Sequence, residues 1–124
     1  MKTVLIVDSD LGFVFWLGKA LDAHSYTALP AKSVPDAALL IMQLNLTVDV
    51  LVIDVALPGA PDFITALHRS QKDVRVISTQ DGDAKPFNIP GIHAVQLKPS
   101  AFGASARDEW VNRVDSVLAQ HIVP

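Results

Sequence analysis

The strands of this chain are marked by apolar runs that are continuous rather than alternating. Val4-Leu5-Ile6-Val7 leads directly into Asp8, and Val50-Leu51-Val52-Ile53 leads directly into Asp54. A strand covered on one face alternates apolar and polar residues, whereas a strand covered on both faces is apolar throughout. These two runs therefore predict a parallel sheet with helices packed on each side of it.

Helical periodicity fills the intervals between the strands. Asp10 and Ser33 are predicted to cap the first two helices through their side-chain oxygens. Pro30 is predicted to end the second strand, because proline has no N–H for a ladder hydrogen bond. The predicted helices cover residues 11–23, 34–46, 63–69 and 107–122, and the predicted strands cover residues 4–7, 26–29, 49–54, 74–78 and 93–97.

The regular alternation of strand and helix determines the predicted topology. Parallel strands joined by helices require right-handed crossovers, which place helices on both faces of the sheet. The predicted fold class is α/β, a three-layer αβα, doubly wound, five-stranded parallel sheet in the order 2-1-3-4-5. Residues 80–91 contain Pro86 and Pro90. A shortened or irregular fourth helix is therefore expected between the fourth and fifth strands.

The composition limits the class of protein. The 124 residues, half of them hydrophobic and 19% charged, are expected to form a single domain over residues 1–124 rather than a disordered chain. A net charge of -3 without a basic cluster argues against direct contact with nucleic acid. The apolar runs are too short for a membrane-spanning helix, and cysteine is absent. A cytoplasmic location is the expectation.

Polar side chains follow four of the five predicted strands, at the point where each strand ends. They are Asp8-Ser9-Asp10, Asp54, Ser78-Thr79 and Lys98. Because the carboxyl ends of parallel strands meet at one edge of a sheet, these side chains are expected to converge. This set of groups suits phosphoryl transfer to a carboxylate. One carboxylate oxygen attacks phosphorus, other carboxylates hold Mg²⁺, and the lysine adds positive charge.

Four segments resemble the response-regulator receiver domains of the chemotaxis type. They are VLIVDSD at 4–10, DVLVIDVALPG at 49–59, VRVIST at 74–79 and GIHAVQLKP at 91–99, in family order over nearly the whole chain. The resemblance implies a phosphoacceptor at Asp54, a Mg²⁺ site at Asp8, Asp54 and the backbone carbonyl of Ala56 with Ser9 or Asp10 as remaining candidates, a switch hydroxyl at Thr79 or Ser78, and a phosphate contact at Lys98. It also implies a cis peptide bond before Pro99.

The function that this resemblance implies is reception of a phosphoryl group in a two-component phosphorelay. The donor would be a sensor histidine kinase or a phosphotransfer protein. The output would pass through a downstream protein partner or through an output domain outside this sequence. The chain itself is then expected not to be an enzyme, apart from self-dephosphorylation.

Three positions depart from the family pattern and lead to a second interpretation. Ser9 stands where a second acid is usual, which weakens Mg²⁺ binding. Gln80 replaces a small residue and is a candidate to block the pocket, and Val95 stands at the position of the switch aromatic. These departures favour an alternative, a pseudo-receiver that binds partners without being phosphorylated.

A third interpretation is an enzyme. Asp8-Ser9-Asp10 also resembles the first motif of the haloacid-dehalogenase-like phosphatases, with Asp8 as nucleophile and Asp10 as acid/base. Against this, the chain is short for that family, no strand after Lys98 supplies the acidic pair that would hold its Mg²⁺, and Asp54 would have no role.

Overall fold

Five parallel strands and four helices make up the part of the chain that the computed structural model describes, residues 1–81 and 89–120. The strands are β1 (Thr3–Val7), β2 (Thr27–Ala31), β3 (Val50–Asp54), β4 (Arg75–Gln80) and β5 (Ala94–Leu97), and the helices are α1 (Leu11–Asp22), α2 (Val34–Leu44), α3 (Ala60–Ser70) and α4 (Ala104–Ala119). The strand order is 2-1-3-4-5, and all pairs are parallel. The predicted fold class is confirmed. The expected irregular fourth helix falls largely on residues 82–88, outside the described residues.

Two apolar cores, one on each face of the sheet, explain the continuous apolar runs. Successive residues of β1 point to opposite faces, so Val4 and Ile6 join one core while Leu5 and Val7 join the other. The first core is closed by α1 and α4, and the second by α2 and α3. Because both faces are covered, Val4–Val7 of β1 and Val50–Ile53 of β3 are buried without interruption.

Both predicted helix caps are present. The Asp10 carboxylate accepts a hydrogen bond of 3.2 Å from the backbone N–H of Phe13, and α1 begins at the next residue. The Ser33 hydroxyl accepts one of 3.2 Å from the N–H of Asp36 at the start of α2. Each cap satisfies an N–H that has no acceptor within its own helix.

Pro30 does not end the second strand, contrary to the prediction. It lies inside β2, opposite Ile6 of β1. Strand β2 is at the edge of the sheet, and the N–H of Thr27 donates to Lys2 on the β1 side. By the two-residue alternation, the backbone nitrogen of Pro30 faces outward, where no ladder hydrogen bond is lost.

Other element boundaries also differ from the prediction; helix α2, for example, ends at Leu44 rather than residue 46, because Asn45 is left-handed. Helix α3 begins at Ala60 rather than residue 63, because Pro61 sits in the first turn, where N–H groups lack intrahelical acceptors anyway. Strand β4 continues to Gln80, since it pairs with β3 and with β5 at its end. Helix α4 begins at Ala104 rather than residue 107, and it ends at Ala119 because the backbone of Gln120 is extended, so the predicted end at residue 122 is wrong. None of the helices within 1–81 and 89–120 has the length and apolar character needed to cross a membrane.

Candidate functional site

The sheet brings four chemically active side chains to its carboxyl edge. Asp8 directly follows β1, Asp54 ends β3, Thr79 lies near the end of β4, and Lys98 directly follows β5. Asp54 and Thr79 are direct partners in the β3–β4 register. The strand order reverses between β1 and β3, and the crevice beside such a reversal is where open α/β sheets bind ligands.

Asp8 is fully buried, and its carboxylate is saturated with hydrogen bonds. The ammonium nitrogen of Lys98 lies 3.1 Å from Oδ1 and 3.0 Å from Oδ2. The backbone N–H of Asp10 donates to Oδ1 at 2.9 Å, and the hydroxyl of Thr79 donates to Oδ2 at 3.3 Å. An ionised carboxylate has about four acceptor positions, so these four contacts use its whole capacity.

Lys98 is held on several sides. Its side chain is only 12% exposed, and its ammonium lies 3.7 Å from Asp81 and 5.5 Å from the centre of the Phe13 ring. Burial acts to lower the pKa of Lys98, but the hydrogen bond and charge of Asp8, followed by the charges of Asp81 and Asp54, raise that pKa overall. The lysine therefore carries its positive charge at physiological pH.

Asp54 has a different environment, since it is half-buried at the rim of the sheet. Its Oδ1 accepts a hydrogen bond of 3.0 Å from the N–H of Ala56, and its carbonyl accepts one of 3.1 Å from Leu57. Gly59, with φ of +81°, completes the turn in a conformation that favours glycine. The turn fixes the position of a carboxylate that is only partly buried.

The other predicted site residues lie nearby in different roles. Ser9 is exposed, and the exposed Asp10 uses its carboxylate to cap α1. The Ser78 hydroxyl donates to the carbonyl of Thr79 rather than to the site, so Thr79 is the hydroxyl that faces Asp8. Gln80 is half-buried and accepts the N–H of Lys98 at its carbonyl.

Val95 is an exposed residue of β5, where no aromatic ring is available to move. The peptide bond before Pro99 is trans, because no cis bond occurs in the described ranges, so the cis bond implied by the resemblance is wrong.

The donor set does not fit a divalent cation as it is arranged. Within residues 1–81 and 89–120, no group of three or more His, Asp or Glu side chains is placed to hold a metal ion. Asp8 has no acceptor position left, and Asp10 is committed to the helix cap. Asp54 and the carbonyl of Ala56 then remain, which is few for Mg²⁺, a cation that demands near-octahedral oxygen coordination.

The sequence did not reveal that the ammonium group of Lys98 contacts both carboxylate oxygens of Asp8. It placed Lys98 near a phosphate and Asp8 near a metal, without pairing the two. The signal that was available is Ser9, because a missing second acid leaves one carboxylate fewer to attract a cation. The contact with Phe13 also went unpredicted, since sequence spacing does not show which ring of a helix faces a strand end.

Comparison with known proteins gives solved structures but no sequence relatives. Neither a family model nor a curated protein matches the chain. A protein from Chloroflexus aurantiacus assigned as a response regulator has a TM-score of 0.77 and 26% identity, over 96% of this chain and 98% of that one. The chemotaxis response regulator CheY4 of Vibrio cholerae has a TM-score of 0.74 and 20% identity, over 94% and 98%.

Two further neighbours complete the comparison. The response regulator TrrA of Thermotoga maritima, in complex with Mg²⁺-BeF, has a TM-score of 0.71 and 19% identity, over 94% of this chain and 99% of that one. NtrX of Brucella abortus has a TM-score of 0.74 and 14% identity, over 95% of this chain and 26% of that one. The fold is thus that of the response-regulator receiver domains. The resemblance inferred from the sequence motifs is confirmed, because neighbours of this class cover nearly the whole chain.

Proposed function

We propose that this chain is a signalling receiver that accepts a phosphoryl group on Asp54 from the phosphohistidine of a sensor kinase or phosphotransfer protein. The observation that carries the proposal is the convergence of Asp54, Lys98 and Thr79 at the strand-order reversal of a receiver-type sheet. The output is binding of a downstream protein partner, or action on an output domain, in the cytoplasm. The receiver fold of the neighbours supports a response-regulator role in general.

The proposed reaction is a substitution at phosphorus. A carboxylate oxygen of Asp54 forms the new P–O bond while the P–N bond to the donor imidazole breaks, and the imidazole leaves with its electron pair and takes up a proton. The Ala56 N–H holds the carboxylate in place for this attack. Within residues 1–81 and 89–120, Lys98 is a cation that interacts electrostatically with Asp54, and its charge offsets the negative charge that builds up on the phosphoryl oxygens.

Thr79 connects the reaction to a change of shape. Its hydroxyl donates to Asp8, and it pairs with Asp54 in the sheet. To bind a phosphoryl oxygen on Asp54, the hydroxyl must leave Asp8, which pulls the end of β4 toward β3. Magnesium binding through Asp8, Asp54 and the Ala56 carbonyl stays a prediction and supplies no step in this proposal.

The direct test is phosphorylation by a small donor. Incubation with acetyl phosphate or phosphoramidate, with Mg²⁺ in one arm and EDTA in the other, is expected to add the mass of one phosphoryl group to the intact protein. The Asp54→Asn variant is expected to gain none. The matched control is Asp62→Asn, at an exposed acid in the first turn of α3, which is expected to behave as the wild type. Equal labelling of Asp54→Asn, or no labelling of the wild type in either arm, contradicts the proposal.

A second candidate function is the pseudo-receiver, and the saturated Asp8 carboxylate is the observation that favours it. A buried acid that is already paired with Lys98 has no free acceptor for a metal ion, which suits a binding module without chemistry. Absence of labelling together with a partner interaction that survives Asp54→Asn identifies this function.

The phosphatase alternative has no such support, because the carboxylate of Asp10, its acid/base, is committed to the helix cap. Assay with a generic phosphomonoester tests it.

A further inference from the structure

We infer that the ammonium group of Lys98 is the resident cation of this site, bound to Asp8 where receivers of the same fold would place a divalent metal. The charge of Asp8 is thereby neutralised, and the site does not bind Mg²⁺ while Lys98 is present. The inference rests on the proposed function only in taking this edge of the sheet as the functional site. It predicts behaviour toward cations that is measured without any phosphorylation.

The first step of the argument is the capacity of the Asp8 carboxylate. Lys98 contacts both oxygens, and the remaining acceptor positions are filled by the Asp10 N–H and the Thr79 hydroxyl. Asp8 has no exposed surface through which a hydrated ion could approach. A metal ion can therefore bind Asp8 only by displacing the ammonium or by breaking the hydrogen bonds that accompany it.

The second step is the number of acids. Ser9 contributes no carboxylate, and Asp10 is engaged by the Phe13 N–H as the cap of α1. Asp8 and Asp54 are then the carboxylates that the strand ends β1 and β3 supply, and Lys98 neutralises the first of them. Of these two carboxylates, only Asp54 has no ammonium group within hydrogen-bonding distance. A single carboxylate gives a divalent ion too little charge stabilisation to offset the cost of its dehydration.

The third step is that hydrogen bonds and packing hold Lys98 in its position. Its own N–H donates to the carbonyl of Gln80 at 2.9 Å, and the indole N–H of the buried Trp110 donates to the carbonyl of Leu97 at 3.2 Å. The peptide unit that precedes Lys98 is thus anchored at both its carbonyl and its N–H. The centre of the Phe13 ring lies 5.5 Å from the ammonium, and the two form a favourable cation–π interaction.

The test compares thermal unfolding of the wild type and of Lys98→Met over a series of Mg²⁺ concentrations at constant ionic strength. The wild-type melting temperature is expected not to change. The variant, with Asp8 unpaired, is expected to show a melting temperature that rises with Mg²⁺ and follows ligand linkage. A Mg²⁺-dependent rise in the wild type, or its absence in the folded variant, overturns the inference.

A measurement on the wild type alone keeps the inference testable if the variant fails to fold. Mn²⁺ is a paramagnetic substitute for Mg²⁺, and bound Mn²⁺ broadens nearby amide signals in the NMR spectrum. The amide signals of Asp10 and Ala56 are expected to stay sharp at Mn²⁺ concentrations that do not perturb the rest of the spectrum. Selective broadening of these two signals refutes the inference.

A surface ion pair supplies the matched control. Lys2 is 65% exposed and lies 3.8 Å from Asp49. Lys2→Met therefore also leaves a carboxylate without its lysine partner, but at a position that water can reach. Its melting temperature is expected to be as insensitive to Mg²⁺ as that of the wild type. The outcome of the cation experiments is distinct from that of the proposed function, because phosphorylation of Asp54 is scored separately by mass.

Discussion

At each end of the sheet a buried polar group needs a hydrogen-bonding partner, and the two partners differ in charge. At the carboxyl end, buried Asp8 is satisfied by a charged partner, Lys98. At the amino end of β4, the buried backbone N–H of Val76 donates to the Nδ1 atom of His93 at 3.0 Å, an uncharged acceptor. The charged arrangement lies at the carboxyl edge of the sheet, and the neutral one lies where β4 begins. The difference shows that a buried carboxylate takes a charged partner, whereas a neutral imidazole is sufficient to accept a backbone N–H.

The neutral arrangement depends on the ionisation state of one imidazole. The N–H of His93 donates to the carbonyl of Val76 at 2.8 Å, so the two residues exchange hydrogen bonds before β5 begins. His68 contacts the carbonyl of Val74 through Nε2 at 3.1 Å, and its ring centre lies 5.9 Å from that of His93. Burial lowers the pKa of His93 first, and the charges of His68 and Arg75 lower it further. The lowered pKa favours the neutral imidazole, and donation from the Val76 N–H requires Nδ1 to be its unprotonated nitrogen.

The largest expected effect comes from removing the charged partner. Lys98→Met, measured without divalent ions, leaves Asp8 buried and unpaired and is expected to reduce the free energy of unfolding by about 3–5 kcal/mol. Urea denaturation followed by tryptophan fluorescence measures the loss. Lys72→Met, at an exposed lysine after α3, is the control and is expected to change little. A loss for Lys98→Met no greater than that of the control would mean that the pair contributes nothing to folding.

The next effect concerns the neutral end. His93→Ala removes the acceptor of the Val76 N–H and is expected to cost about 1–3 kcal/mol of unfolding free energy. His93→Asn keeps an acceptor oxygen near the position of Nδ1 and is expected to lose clearly less. Urea denaturation of both variants gives the comparison. Equal losses for the two would show that packing of the ring, rather than its hydrogen bond, stabilises this end.

A smaller effect is the pH dependence that His93 adds. Because its folded-state pKa lies below the usual value of 6.5, the unfolded chain binds a proton more readily than the native one. The stabilisation is complete above about pH 6.5 and declines as the pH falls toward the lowered pKa of the folded state. Unfolding free energies over this range are expected to fall less steeply for His93→Asn than for the wild type. Identical slopes would remove His93 from the pH response.

The sequence predicts the architecture better than it predicts the pairing of side chains. Continuous apolar runs such as Val4–Val7 are enough to require two covered faces, and caps such as Asp10 are local, so both were predicted correctly. The role of Pro30 was predicted wrongly, because a strand tolerates an internal proline when it lies at the edge of the sheet. That β2 is an edge strand is a property of the whole sheet. That Asp8, Asp54, Thr79 and Lys98 meet at one edge follows from the topology. Which carboxylate Lys98 binds depends on distances of about an ångström, which no periodicity encodes.

The smallest expected effect sharpens the comparison by moving the same kind of ion pair into water. Lys2 and Asp49 form an ion pair of 3.8 Å at the amino end of the sheet, with side chains 65% and 26% exposed. Water solvates both charges, so Lys2→Met is expected to change the unfolding free energy by less than about 1 kcal/mol in urea denaturation. Asp49 also accepts the N–H of Thr3 at 2.8 Å, a bond that the variant keeps. If Lys2→Met were as damaging as Lys98→Met, burial could not be what distinguishes the two pairs, and the special position of Lys98 would lose its physical basis.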